Sequence, residues 1–224
     1  MSEIAPGVWD IDLGRVHAYL VRDDDGLILI DSGLPGRADT IERAVSGTGH
    51  RPDDLHTVLV THRHGDHIGS LAEVRRRTGA RIVAGALDAP VVDGSMPEPK
   101  GSLPARLLGR LMPAVEPVPV DALIDTGDET PVAGLTPLHT PGHTLGHISF
   151  LLDRAGGVLF VGDAAVSRRK GIARPPRYLN DDIAATERSL RGLAELDFEF
   201  ACFGHGRVIK GGATDRFREY AVRS

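Results

Sequence analysis

The chain has 224 residues, 41% of them hydrophobic and 25% charged, with a formal charge of -5 at neutral pH. This composition suits a globular protein with a sizeable core, read here as one domain over residues 1–224, and its acidic balance excludes bulk attraction to nucleic acid or to an anionic membrane. A single cysteine, Cys202, excludes an intramolecular disulfide framework, and with no signal-peptide pattern and no run of eighteen apolar residues the expectation is a cytoplasmic protein.

Taken in order, VHAYLV and GLILIDSG read as neighbouring strands joined by the turn RDDDG. The period then changes, because ADTIERAV spaces Ile41, Ala44 and Val45 as a helix with one buried face does. HTVLVTH returns to strand. SLAEVRRRTG gives a helix with Leu71 and Val74 inward that stops at Gly79, and RIVAG is the next strand. This alternation of near-continuous apolar strands with amphipathic helices predicts a sheet covered by helices on its outer side.

Between residues 93 and 119 the composition shifts to Pro, Gly and Met around one amphipathic segment, LPARLLGRLM, which carries Leu103, Leu107, Leu108 and Leu111. It reads as a surface helix docked on the core. The alternatives are a cap over a pocket and an interface that would make a homodimer. Strand-like ALIDTG, LTPLHT, HISFLLD and GVLFVGD follow, then a loop rich in Arg and Pro, a helix DIAATERSLRGLAEL, a strand FEFACFG and a last helix.

The chemistry concentrates in THRHGDHIG, residues 61 to 69, directly after an apolar strand. His62 and His64 lie two apart, so on an extended segment both imidazoles leave the same face. Asp66 and His67 follow where the chain turns into the next helix. His143 in TPGHT, Asp163 in LFVGDA and His205 in ACFGHG stand in equivalent places, each near the end of an apolar strand and beside a glycine. Five histidines and two aspartates are the right inventory for two divalent ions, imidazole favouring zinc and carboxylate able to bridge. Burying such a cluster without metal would leave donors and acceptors poorly matched.

In that order, THRHGDHIG, TPGHTLGH, GDA and FGHG resemble the signature of the metallo-β-lactamase superfamily, particularly its glyoxalase II-like hydrolase branch. The resemblance runs from residue 15 to about residue 210. It implies an α/β protein built as a four-layer αββα sandwich with a two-metal site at one edge, loaded with Zn2+, Fe or Mn being the alternatives. Carried over by position, it places His62, His64 and His143 on one ion, Asp66, His67 and His205 on the other, and Asp163 between them. A hydroxide held by both ions would then attack an ester-like bond of a small-molecule substrate. Asp66 would orient it or hand a proton to the leaving group.

Asp31, in LIDSG, resembles the family's strand-end acidic residue, which would fix a ligand imidazole from behind, and Thr61 and Thr144 would serve similarly through their hydroxyls. His139 and His147 read equally as structural histidines, and His17, His50 and His56 as non-ligands. Arg168, Arg169, Lys170, Arg174 and Arg177 follow Asp163 closely, so a basic loop is expected beside the metals. Arg168 and Arg174, with Tyr178, are the candidate contacts to an anionic substrate. Within that resemblance, an aspartate at position 163 implies thioesterases, lactonases, phosphodiesterases and related hydrolases, away from true β-lactamases. A single-iron persulfide dioxygenase and a non-catalytic metal-binding domain are the other readings.

Overall fold

A computed structural model describes residues 1–99, 102–104, 107, 113–130, 132–169 and 171–223. The first sheet has seven strands in sequence order: β1 (Ser2–Ala5), β2 (Val8–Asp12), β3 (His17–Arg22), β4 (Leu27–Ile30), β5 (Leu55–Val60), β6 (Arg81–Gly85) and β7 (Ala122–Ile124). Strands β1 to β4 pair antiparallel, and β4 to β7 pair parallel. The change of sense follows from the connections. Tight turns join the antiparallel strands, whereas helix α1 (Ala38–Gly47) and the short α2 (Gly65–Ile68) with α3 (Leu71–Thr78) fill the crossovers on either side of β5. Gly79 ends α3 in the left-handed region, at φ 76°, the conformation a helix stop needs and glycine adopts without cost.

After the short helix α4 (Ala89–Val92) and the 93–119 excursion, the chain builds a second sheet from β8 (Leu135–His139), β9 (Ile148–Leu152), β10 (Val158–Gly162), β13 (Phe200–Phe203) and β14 (Ile209–Lys210), in the order β14-β13-β10-β9-β8. Two helices, α5 (Ile183–Leu193) and α6 (Ala213–Arg223), follow β10 and β14. Asp182 caps α5 by accepting the Ala185 backbone N–H at 2.9 Å.

The period-two rule explains how both faces of each sheet come to be buried. On β4, Leu27 and Leu29 join Ile41, Val45, Leu71 and Val74 under the first helical layer, while Ile28 and Ile30 face inward. On β10, Val158 and Phe160 meet Ile28, Ile30, Leu59 and Phe150 between the sheets, while Leu159 and Val161 pack under Leu190, Leu193 and Phe217. Three apolar layers therefore separate helix, sheet, sheet and helix, the αββα sandwich expected from the motifs.

The elements read from sequence fall where they were expected, with additions. The Arg- and Pro-rich loop contains a hairpin, β11 (Val166–Arg168) with β12 (Gly171–Ala173), and strands β1, β2 and β14 were not foreseen. Most of the expected amphipathic segment at 103–112, and Lys170, lie outside the described residues.

Candidate metal centre

The C-terminal ends of β5, β8, β10 and β13 converge on one edge of the sandwich, and the loops leaving them carry the candidate ligands. The backbone ties the two sheets there, the Ile148 N–H donating to the Thr61 carbonyl at 2.8 Å. Three groups of side chains bring their ligand atoms within 4.8 Å of one another: His62, His64 and His143; His62, His67 and Asp163; Asp66, His67 and His205. Asp163 spans the outer two groups. Its Oδ2 lies 3.4 Å from His143 Nε2 and 3.3 Å from His205 Nε2, and its Oδ1 lies 3.6 Å from His67 Nε2. Across the rim, Asp66 Oδ2 is 3.3 Å from His205 Nε2.

The atoms facing this space fit a cation. Asp31 Oδ2 accepts both the Thr61 hydroxyl at 2.7 Å and His67 Nδ1–H at 2.8 Å, and Asp31 Oδ1 accepts the Thr61 backbone N–H at 2.8 Å. With its proton so committed, Thr61 Oγ1 accepts from His62 Nδ1–H at 3.0 Å. Both imidazoles thereby turn Nε2 toward the centre, and both Nε2 atoms, with Asp163 Oδ1, are buried without a hydrogen-bond partner among the described residues. His64 Nδ1 and His143 Nε2 face each other at 2.9 Å. Buried lone pairs in such number are costly unless a positive charge meets them.

The electrostatics divide the centre. Burial pushes His62 and His143 well below the ordinary imidazole value, and pushes His64 down as well, so these three are neutral donors. On the other side, burial opposes the charge of His67 and His205, but Asp163, together with Asp31 for His67 and Asp66 for His205, overrides it and lifts them to about 9 and about 11. Burial likewise works against ionised Asp66 and Asp163, and His67 and His205 more than offset it, holding both carboxyls well below the usual range. The carboxylates thus stay ionised, and protons on the imidazoles fill the role a divalent ion takes in a loaded site.

Asp31 holds its position at φ 59°, a left-handed conformation that aspartate tolerates better than most residues. Thr144 is turned elsewhere, its hydroxyl donating to Asp88 Oδ2 at 2.6 Å instead of to a ligand imidazole. His147 is buried against Asp163, and His139 Nε2 bonds the Leu145 carbonyl at 2.8 Å. His17, His50 and His56 bond Asp10, Thr48 and Asp23 respectively, outside the centre.

The candidate substrate contacts are more scattered. Arg168 is exposed on the β11–β12 hairpin, whose Ser167 N–H donates to the His205 carbonyl at 3.3 Å. Arg174 is paired with Glu187 at 2.9 Å and lies with Arg177 and Tyr220 in a shallow groove, and the Tyr178 carbonyl accepts the Ser102 hydroxyl at 2.9 Å. The residues missed from sequence are Arg63, Asp88 and Asp181, the two carboxylates each accepting from the Arg63 guanidinium beside the ligand loops. Arg63 stood inside the motif, but nothing in the spacing marked its partners.

Residues 11–205 match the family model for the metallo-beta-lactamase superfamily. Among curated proteins, the chain is 31% identical to the uncharacterized protein YobT of Bacillus subtilis, covering 95% of this chain and 93% of that one. It is 27% identical to the probable metallo-hydrolase YflN of the same organism, over 93% and 87% of the two chains. A hydroxyacylglutathione hydrolase of Pseudomonas putida F1 is 35% identical over 58% of this chain and 40% of its own length. Among solved structures, the metallo-β-lactamase MIM-1 of Novosphingobium pentaromativorans superposes with a TM-score of 0.78 at 23% identity, covering 99% of this chain and 86% of that one, a likeness of fold. No helix among the described residues is long and apolar enough to cross a membrane.

Proposed function

The chain belongs to the metallo-beta-lactamase superfamily, and on that premise we propose that it is a dinuclear-metal-dependent hydrolase cleaving an ester-like bond, thioester, lactone or ester, in a small substrate. The observation that carries the reading is the position of Asp163, within 3.6 Å of imidazoles from both outer ligand groups. A carboxylate so placed suits two neighbouring cations. One metal would take His62, His64 and His143, the other Asp66, His67 and His205, with Asp163 shared. Zinc suits this imidazole-rich set.

Two such ions would supply a nucleophilic water at neutral pH and polarise the scissile carbonyl. The chain's own residues supply the rest. Asp31 and Thr61 fix the His67 and His62 rings with Nε2 inward. Asp66, half-buried at the rim, orients the attacking water or passes a proton to the leaving group. No side-chain nucleophile is called for, and Cys202 lies buried between the two sheets. Exposed Leu145, two residues after His143, offers an apolar contact to a substrate. Arg168, on the hairpin beside His205, offers a charge for an anionic substrate.

The other reading, a single-iron persulfide dioxygenase, shares the H-x-H-x-D-H core, so metal identity and content separate the two. The test is metal content of the purified chain alongside turnover of a thioester, lactone, phosphodiester and cephalosporin panel. About two zinc ions per chain, with hydrolysis abolished in His62→Ala, support the reading. One iron per chain with oxygen uptake on a persulfide overturns it. Unchanged Michaelis constants for anionic substrates in Arg168→Ala would remove the anionic part of the proposal.

A further inference from the structure

Arg63 stands in sequence between two candidate ligands, yet its side chain is only 4% exposed and hydrogen-bonds none of the seven ligand side chains. Its nitrogens go instead to three carboxylates from three other segments. Nη1 donates to Asp88 Oδ1 at 2.8 Å, Nε to Glu98 Oε1 at 2.9 Å and Nη2 to Asp181 Oδ2 at 2.9 Å. The backbone N–H of Arg63 adds a bond to Asp88 Oδ2 at 3.1 Å.

Each carboxylate has a second tie near the centre. Asp88 Oδ2 accepts the hydroxyl of Thr144, next to His143, at 2.6 Å. Asp181 Oδ2 accepts the Leu145 N–H at 3.2 Å, while the Asp181 N–H donates to the His143 carbonyl at 3.2 Å. Glu98, at the start of the excursion, places Oε1 3.9 Å from His64 Nε2. The guanidinium therefore links the loop that carries His62 and His64, rooted in the first sheet, to the loop that carries His143, rooted in the second.

The chemistry of the link is specific. Burial works against the charge of Arg63, but Asp88, Asp181 and Glu98 more than offset it, so the guanidinium remains fully charged. Asp88 is 1% exposed, with Arg63 as its ion-pair partner. A planar fork reaching three carboxylates at fixed angles is something arginine provides and lysine does not. Two ligand loops whose imidazole nitrogens stand 2.9 Å apart, His64 against His143, have reason to be held by something other than the metal itself.

We propose that Arg63 is a positioning residue for the metal centre, fixing the His143 loop against the His62 and His64 loop through Asp88 and Asp181, and fastening the start of the excursion at the rim through Glu98. The proposal rests on the metal reading given above. Arg63→Lys keeps the charge and loses the fork. In the full chain stripped of metal, zinc affinity by competition with a chromophoric chelator is expected to fall about 10–100-fold, with unchanged circular dichroism. Amide exchange in residues 142–147 is expected to speed up.

Val74→Ala, under the first helical layer, lowers stability without touching these loops and is expected to leave zinc affinity unchanged. It separates positioning from a general loss of stability. A folded Arg63→Lys chain that binds zinc within about twofold of wild type overturns the proposal. Should Arg63→Lys fail to fold, Asp181→Asn, which removes a half-buried partner of Arg63, carries the test: faster amide exchange in residues 142–147 with weaker zinc binding supports the proposal, and unchanged exchange overturns it. A wild-type chain that binds no divalent metal fails the metal reading instead. In that event amide exchange of the metal-free variants decides the Arg63 link alone, faster exchange in 142–147 supporting it and unchanged exchange overturning it.

Discussion

His147 Nε2 accepts the backbone N–H of Asp163 at 3.0 Å, which makes that nitrogen the bare one and puts the ring proton on Nδ1. Nδ1–H then donates to Thr140 Oγ1 at 2.8 Å, Thr140 to Ser149 Oγ at 2.9 Å, and Ser149 to the Val161 carbonyl at 3.0 Å. The run is buried and each hydrogen has an acceptor. Burial, the largest influence, pushes His147 down to about 4, so the ring is a neutral support for Asp163 and not an acid. Thr140→Val keeps the shape and orphans the His147 donor. It is expected to cost about 1–3 kcal/mol of stability, read from the urea midpoint, and an unchanged midpoint would refute the tautomer.

Gly204 lies against the centre so closely that a methyl group there would overlap Asp163 Oδ1 and the His67 ring. Gly204→Ala is expected to displace the shared carboxylate and to lower metal content sharply while the circular dichroism spectrum is kept. Wild-type stoichiometry in this variant would show that the Asp163 position is not needed for loading.

Metal added to the stripped chain should stabilise it by mass action, by about 2.7 kcal/mol at a hundredfold excess over the dissociation constant. Thermal melts with and without zinc check this. In His62→Ala the gain is expected to shrink or vanish, and a chelator is expected to reverse it in the wild type.

His17 donates to Asp10 at 2.7 Å, and that bond holds its pKa above the ordinary imidazole value despite burial. A folded-state pKa above the unfolded one means that the pair's stabilisation is complete below about pH 6.5 and is lost as pH rises through the folded value. Denaturation midpoints at acidic and alkaline pH should show this decline in the wild type, and Asp10→Asn should remove that component.

Cys202 is fully buried between the sheets, and burial pushes its thiol well above the ordinary value. The native chain is expected to resist iodoacetamide at pH 8 and to label completely in denaturant. Rapid labelling of folded protein would contradict the packing of β13 against β10.

Much of the fold was legible because its signals are local. The apolar runs of β4, β5 and β10 and the spaced Ile41, Ala44 and Val45 of α1 report their own periodicity, whatever they pack against. Strands β11, β12 and β14 are two or three residues long and carry no fully buried position, so their pairing partners, not their side chains, define them. The ligand loop was equally legible, since four of its candidate ligands share six consecutive positions.

By itself, then, the sequence determined which side chains could meet a metal and roughly which strand ends would present them. Tertiary structure alone decided that Asp163 reaches both outer groups, that Asp31 and Thr61 aim Nε2 of His67 and His62 at the centre, and that Arg63 ties Asp88 to Asp181 across the sheets. The reason is physical: ligand identity is a property of one residue, whereas lone-pair direction and charge pairing depend on atoms brought within about 3 Å from segments far apart in the chain.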